Sequence, residues 1–137
     1  MSEDNKRKNL SDELREAEDR LRSARLLRDA GQRKDAVSRA YYAAFHAAKA
    51  MLLTEGIEPR THRGMRDEFR HRMTGAGKLP EALAQTLDRL EAARLGADYG
   101  AGADFSDEQT GGFLEDAQRF VDTITANLRA QGWVTQR

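Results

Sequence analysis

Residues 38–52 read Ser38-Arg39-Ala40-Tyr41-Tyr42-Ala43-Ala44-Phe45-His46-Ala47-Ala48-Lys49-Ala50-Met51-Leu52, an alanine-rich apolar run that contains an arginine, two tyrosines and a histidine. Because Arg39 and His46 are seven residues apart, an α-helix turns them to within about 20° of each other and separates them by roughly 10.5 Å along its axis. The two side chains therefore share a helix face. Such polar groups are costly to bury unless they have partners, so this helix is predicted to hold a polar network or a functional site.

The chain before this central helix is predicted to have a disordered N-terminus, residues 1–10, and then a first helix. Ser11 is a suitable N-cap for that helix, which is expected to reach about Ala30 and to end at Gly31. The central helix then runs from about residue 33 to residue 54. Its alanines allow neighbouring helices to approach closely, so we expect it to lie at the centre of the fold.

Three more helices are expected after the central one. Thr61 is a suitable cap for a short helix, and Pro80 fits the first turn of a longer helix that ends near Gly96. Ser106 and Gln109 match a capping box for the last helix. Because no segment alternates like a strand, the sequence predicts an all-α antiparallel bundle of four long helices plus one short helix over residues 11–131, with a tail at residues 132–137.

The composition limits the class of protein. A chain of 137 residues is long enough for one domain with a single hydrophobic core. It has no apolar run near the ~20 residues of a membrane span and no signal-like apolar stretch, so we expect no membrane contact and a cytoplasmic location. Since it has no cysteine and its three histidines lack HxxxH or HxH spacing, we expect no metal site, and we expect no cofactor.

The formal net charge is zero, which argues against strong nonspecific binding to nucleic acid. Residues 1–72 contain 17 Lys/Arg and 13 Asp/Glu, whereas residues 73–137 contain 6 and 10. Opposite halves of this kind can attract each other within one fold or across a dimer, and the basic half can attract phosphates. The predicted RNA or nucleotide contacts are Arg60, Arg63, Arg66 and Arg70, with a solvated, partly self-paired helix as the alternative.

Four short motifs follow one another along the chain. They are the run Ser38 to His46 quoted above, then Thr61-His62-Arg63-Gly64, Gly77-Lys78-Leu79-Pro80 and Arg94-Leu95-Gly96-Ala97-Asp98-Tyr99. In this order they resemble the HEPN domain family (higher eukaryotes and prokaryotes nucleotide-binding), in its small stand-alone prokaryotic branch. The likeness covers about residues 10–130.

The resemblance implies a HEPN-like helical bundle that forms a homodimer and is paired with a nucleotidyltransferase-type antitoxin. Many family members are metal-independent ribonucleases, in which an arginine stabilises phosphate charge and a histidine four to six residues later moves a proton. The RNA 2′-hydroxyl is their nucleophile. The chain is accordingly expected to be a toxin-like protein that acts on RNA. The alternative is a noncatalytic module that binds a nucleotide or a partner protein.

The family's catalytic motif is altered in this chain. Arg94 is followed after four residues by Tyr99, and a tyrosine, with a pKa of about 10, carries protons poorly at pH 7 compared with a histidine at about 6.5. Arg39 and His46 have the required spacing, although they lie in the second helix. We therefore predict Arg39 and His46 as the catalytic pair, supported by Arg94 and Tyr99. The family also implies that a partner can adenylylate Tyr99.

Other interpretations of the same residues stay open. Arg39 and His46 also fit a buried polar network, with Arg39 bound to Asp98 or to a tyrosine hydroxyl, and they fit a dimer contact. Tyr41 and Tyr42 point about 100° apart, so at most one of them faces the same pocket as Arg39. We expect structural or orienting roles for Tyr41, Tyr42 and Asp98.

Overall fold

The computed structural model describes residues 2–99 and 104–135, except for the side chain of Tyr99. Within these residues lie α1 (Glu3–Asp29), α2 (Arg33–Leu53), α3 (His62–Phe69), α4 (Glu81–Tyr99) and α5 (Asp107–Ala130), and a π-helical turn (Arg70–Thr74) continues α3. This part of the chain contains no strand, so the predicted all-α fold of four long helices and one short helix is confirmed. None of its helices has both the length and the apolar character needed to cross a membrane.

The central position of α2 is confirmed. It packs against α1, α3, α4 and α5. Its alanines at positions 36, 40, 43, 44, 47, 48 and 50 are fully buried, and their small side chains let the neighbouring helices approach closely. Gly31, with a φ of 78°, makes the tight turn between α1 and α2 in a conformation that favours glycine.

The predicted caps at Thr61 and Ser106 are confirmed. The Thr61 hydroxyl accepts a hydrogen bond from the Gly64 backbone N–H at 2.9 Å. At α5, Ser106 accepts from the Gln109 N–H while the Gln109 side chain accepts from the Ser106 N–H, both at 2.9 Å. This pair is the reciprocal capping box that the sequence predicts.

The prediction of a disordered N-terminus at residues 1–10 was wrong for residues 3–10, and Met1 lies outside the described residues. The helix α1 begins at Glu3, and Ser2 is its N-cap, so Ser11 lies inside the helix. Leu10 explains the difference, because it is fully buried and extends the apolar stripe of α1 by one turn. The predicted tail also returns to α1, where the Arg7 guanidinium lies 5.0 Å from the centre of the half-buried Trp133 ring.

The helix α4 runs further than the sequence predicts. It continues through Gly96 as far as Tyr99, so the segment predicted to leave the helix is helical. A glycine inside a helix costs only about 1 kcal/mol, so Gly96 alone does not end the helix. Arg94 and Asp98 are consequently one helical turn apart, and Arg94 Nη1 lies 3.2 Å from Asp98 Oδ2.

The charge difference between the two halves of the chain is partly neutralised within the fold. The Arg28 guanidinium of α1 holds both carboxylate oxygens of Asp107 at the start of α5, at 3.0 and 3.1 Å. Arg70 Nη2 lies 3.0 Å from Asp88 Oδ2 of α4. These pairs join basic residues of the first half to acidic residues of the second.

Truncation of Leu10 tests whether the first turns of α1 are folded. We expect Leu10→Ala to lower the free energy of unfolding by about 3 kcal/mol, because it removes a fully buried side chain. The matched control is Leu26→Ala, at a leucine of the same helix that is 70% exposed, and it should change the free energy by less than about 0.5 kcal/mol. Urea unfolding measures both. Equal effects of the two substitutions would contradict a packed N-terminus.

Candidate active site

A groove of about 570 Å³ lies between α1 and α2. Arg39 and His46 both line it, as their shared helix face predicts, and Tyr42 and Phe45 supply its aromatic surface. The remaining lining residues are Arg20, Leu27, Asp35 and Ser38. The structure therefore brings the predicted catalytic pair to one solvent-accessible groove.

His46 is held in place by Glu13 of α1. His46 Nδ1 lies 2.6 Å from Glu13 Oε2, and Lys49 Nζ lies 3.3 Å from the other carboxylate oxygen. Burial alone would raise the pKa of Glu13, but the hydrogen bond from His46 and the Lys49 charge bring that pKa below its usual value. An ionised carboxylate only accepts hydrogen bonds, so His46 Nδ1 carries the hydrogen and Nε2 is the atom left to exchange a proton with a ligand.

Arg39 is exposed, and within residues 2–99 and 104–135 no hydrogen bond or ion pair holds its guanidinium. The alternative in which Arg39 is part of a buried polar network, bound to Asp98 or a tyrosine, was therefore wrong. Arg94 of α4 takes that place, because its helix packs directly against the tyrosines of α2. Arg39 is left available to bind a phosphate group.

Arg94 is buried in a cluster next to the groove, with only 8% of its side chain exposed. Its guanidinium lies 5.0 Å from the Tyr41 ring centre and 5.7 Å from that of Tyr42. Arg94 Nη2 donates to Glu91 Oε1 at 2.6 Å. Burial alone would lower the pKa of Arg94, but the hydrogen bond and charge of Glu91 raise it above the ordinary value. Arg94 is therefore permanently charged and already paired.

The four predicted catalytic residues are not all brought together in the described part of the chain. Arg39 and His46 line the groove, whereas Arg94 contacts it only through the Tyr42 ring. The side chain of Tyr99 lies outside the described residues. Of the two tyrosines, the half-buried Tyr42 faces the groove and Tyr41 is fully buried, as their 100° separation on the helix requires.

Sequence reasoning did not select Glu13, His62 or Glu91. The Tyr41 hydroxyl oxygen lies 2.7 Å from His62 Nδ1, and the His62 ring stacks on Phe45 with their centres 4.6 Å apart. Glu91 precedes Arg94 by three residues, a spacing that favours an ion pair on a helix. Glu13 gave no such signal, because it meets His46 from another helix, 33 residues away in the chain.

Two of the four arginines predicted to contact RNA are engaged with α4. Arg66 Nη1 lies 3.5 Å from Glu91 Oε2, and Arg70 binds Asp88. Arg63 is well exposed and makes only a loose pair with Asp67 at 3.8 Å. Arg60 is exposed and has no ion pair with any described residue. Arg60 and Arg63 are the members of this set that stay open to a ligand.

Residues 10–128 of the sequence match the model of the HEPN domain. The chain belongs to the HEPN family. Among its relatives, "Putative toxin MJ0605" of Methanocaldococcus jannaschii is 34% identical over 113 residues, which cover 82% of this chain and 84% of the relative. A "UPF0332 protein" of Thermotoga maritima is 31% identical over 110 residues, which cover 80% and 83%. The predicted resemblance to small prokaryotic HEPN proteins is confirmed.

Two arginine substitutions distinguish the buried cluster of this HEPN protein from its groove. Arg94→Ala leaves the buried Glu91 carboxylate without its closest partner, so we expect the free energy of unfolding to fall by about 3 kcal/mol. Arg39→Ala removes an exposed side chain and should change it by less than about 0.5 kcal/mol. Urea unfolding at neutral pH measures both. Comparable losses would show that Arg39, too, has a structural role.

Proposed function

We propose that this HEPN protein is toxin-like and cleaves RNA without a metal ion, with the groove between α1 and α2 as its active site. The observation that carries the proposal is the pairing of an unengaged guanidinium, Arg39, with an imidazole, His46, along one groove. The ionised Glu13 fixes the ring orientation and tautomer of His46. The family match and the toxin name of the Methanocaldococcus relative support the same function.

The proposed reaction is an internal transfer at the phosphodiester. The RNA 2′-oxygen loses its proton and attacks the phosphorus, and the bond from phosphorus to the 5′-oxygen breaks as that oxygen gains a proton. Arg39 stabilises the negative charge that develops on the phosphate oxygens. His46 Nε2 exchanges one of the two protons. Tyr42 and Phe45 offer ring faces on which a base can stack.

In this proposal Arg94 supports the groove, and Tyr99 is the residue that a partner adenylylates. Arg94 packs on the Tyr42 ring and so keeps the wall of the groove in place. Arg60 and Arg63 are proposed to bind the RNA backbone outside the groove. Arg66 and Arg70 contribute only where an RNA phosphate partly replaces their present partners, Glu91 and Asp88. We propose that the protein works as a homodimer with a nucleotidyltransferase-type antitoxin, as the family resemblance implies.

One observation favours the alternative function, a noncatalytic module that binds a nucleotide or a partner protein. The arginine at the family's usual motif, Arg94, is buried and neutralised by Glu91 and Asp98. A guanidinium held in this way cannot reach a phosphate without breaking buried ion pairs. The alternative uses the same groove and its exposed Arg39, but includes no bond cleavage.

Cleavage of a generic RNA in EDTA tests the enzymatic proposal. The wild-type protein should cleave, and His46→Gln should slow cleavage by about 100-fold or more, because it removes a proton-transfer group. The matched control is His71→Gln, at an exposed histidine on the π-helical turn, and it should retain the wild-type rate. Intact RNA with the wild-type protein, or equal rates for wild type and His46→Gln, would support the noncatalytic alternative.

Coexpression with a nucleotidyltransferase of the antitoxin type tests the proposed partner. We expect the intact protein to gain the mass of one or more adenylyl groups on Tyr99, and Tyr99→Phe to remain unmodified. Mass spectrometry of the intact protein and its peptides measures this. An unmodified Tyr99 in a coexpressed sample would contradict regulation by adenylylation.

A further inference from the structure

The ring of Phe45 is in contact with two histidines. The His46 ring meets it edge-on with centres 5.6 Å apart, and the His62 ring stacks on it at 4.6 Å. His62 is the first residue of α3, directly after the Thr61 cap, and 39% of its side chain is exposed. Phe45 and His46 line the groove and His62 does not, so His62 lies beside the groove, in contact with one of its wall residues.

We propose that His62, which is partly exposed beside this groove, is its second proton-transfer residue, acting as the general base and oriented by Tyr41 and Glu91. This inference rests on the RNA-cleaving function proposed above. His62 is the catalytic residue in this assignment, and Tyr41 and Glu91 are positioning residues.

The orientation of His62 follows from its buried partners. His62 Nδ1 lies 2.7 Å from the Tyr41 hydroxyl oxygen and 3.9 Å from Glu91 Oε2. Glu91 Oε2 is buried and has no hydrogen-bond partner of good geometry among the residues that the structure describes. When Tyr41 donates its hydroxyl proton to this oxygen, the Tyr41 oxygen can accept the Nδ1–H of His62. The lone pair of His62 Nε2 is then free to take a proton.

The charges around His62 fit a base that is neutral before the reaction. Burial lowers the pKa of His62. The Glu91 carboxylate opposes this effect and the charges of Arg94, Arg66 and Lys49 add to it, and the pKa stays below its usual value. The Tyr41 pKa is raised by burial and then by Glu91, so Tyr41 stays a phenol that can donate its proton. The charged or titratable groups that face His62 are Tyr41 and Lys49 of α2, Arg66 of α3, and Glu91 and Arg94 of α4.

The two histidines together balance the protons of the reaction. His62 Nε2 takes the proton of the 2′-hydroxyl, the 2′-oxygen bonds to phosphorus, and the phosphorus–5′-oxygen bond breaks. His46 gives its Nε2 proton to the departing 5′-oxygen, while Glu13 accepts the Nδ1–H of the same ring. The products are a 2′,3′-cyclic phosphate and a 5′-hydroxyl. Exchange with water then resets both imidazoles.

The first test is the pH dependence of RNA cleavage by the full-length protein. We expect His62→Gln to lower kcat/KM by about 100-fold or more and to remove the acidic limb of the wild-type pH profile. Added imidazole should partly restore activity to His62→Gly, and His71→Gln should behave as the wild type. If His46→Gln abolishes cleavage but His62→Gln stays within about threefold of the wild type, the inference is wrong and the proposed function stands.

Tyr41→Phe tests the positioning roles without changing the size of the side chain greatly. We expect kcat to fall about tenfold with KM unchanged, because a positioning group acts on the transition state rather than on RNA binding. A purely structural role would instead lower the fraction of active protein and leave the pH profile unaltered. An unchanged kcat in a folded Tyr41→Phe protein would overturn the assignment of Tyr41.

A second measurement does not depend on cleavage. Nitrogen-15 NMR of the wild-type protein at neutral pH should show His62 as the neutral tautomer with hydrogen on Nδ1. The Nε2–H tautomer, or a charged His62 at neutral pH, would overturn the assignment whether or not the protein cleaves RNA. A wild-type protein that shows the expected tautomer but leaves RNA intact would overturn both the proposed function and the role of His62 in it.

Discussion

The ion pair between Glu91 and Arg94, beneath the tyrosines of α2, is the interaction on which the arrangement of the site depends. Each charge costs several kcal/mol to bury unless it is paired, so neither side chain is stable there alone. Arg94 lies against both tyrosine rings, and Glu91 faces Arg66 of α3. The pair therefore ties α2, α3 and α4 to one another, and it fixes where His62 lies relative to α2.

The helix α2 directs its two adjacent tyrosines to different places. Tyr41 points into the buried cluster, where its hydroxyl oxygen lies 2.7 Å from His62 Nδ1, whereas Tyr42 lines the groove with Arg39. This division follows from the 100° turn between successive residues of a helix. The alanines around them matter equally, because they let α1 approach closely enough for Glu13 to reach His46. A larger side chain at those positions would move the carboxylate away from the imidazole.

The sequence predicted features that depend on residues close together in the chain. The caps at Thr61 and Ser106 join residues three apart, and the shared face of Arg39 and His46 follows from helix geometry alone. The polar composition of residues 1–10 misled the prediction, because the burial of Leu10 depends on distant helices. The sequence also did not show that Arg94 rather than Arg39 is the buried arginine, or that Glu13 pairs with His46. Both contacts join helices that are distant in the sequence.

The internal pairing of arginines limits the ways in which RNA could bind under the proposed function. Arg28, Arg70 and Arg72 hold carboxylates within the fold, so these three basic residues of the first half already have acidic partners. Among the arginines of the predicted site that the structure describes, Arg39, Arg60 and Arg63 then face a ligand. Binding through few phosphates gives modest affinity and a weak dependence on salt. Selectivity would have to come from the groove itself, through stacking on Tyr42 and Phe45 and recognition of the 2′-hydroxyl, which is the group that the proposed chemistry requires.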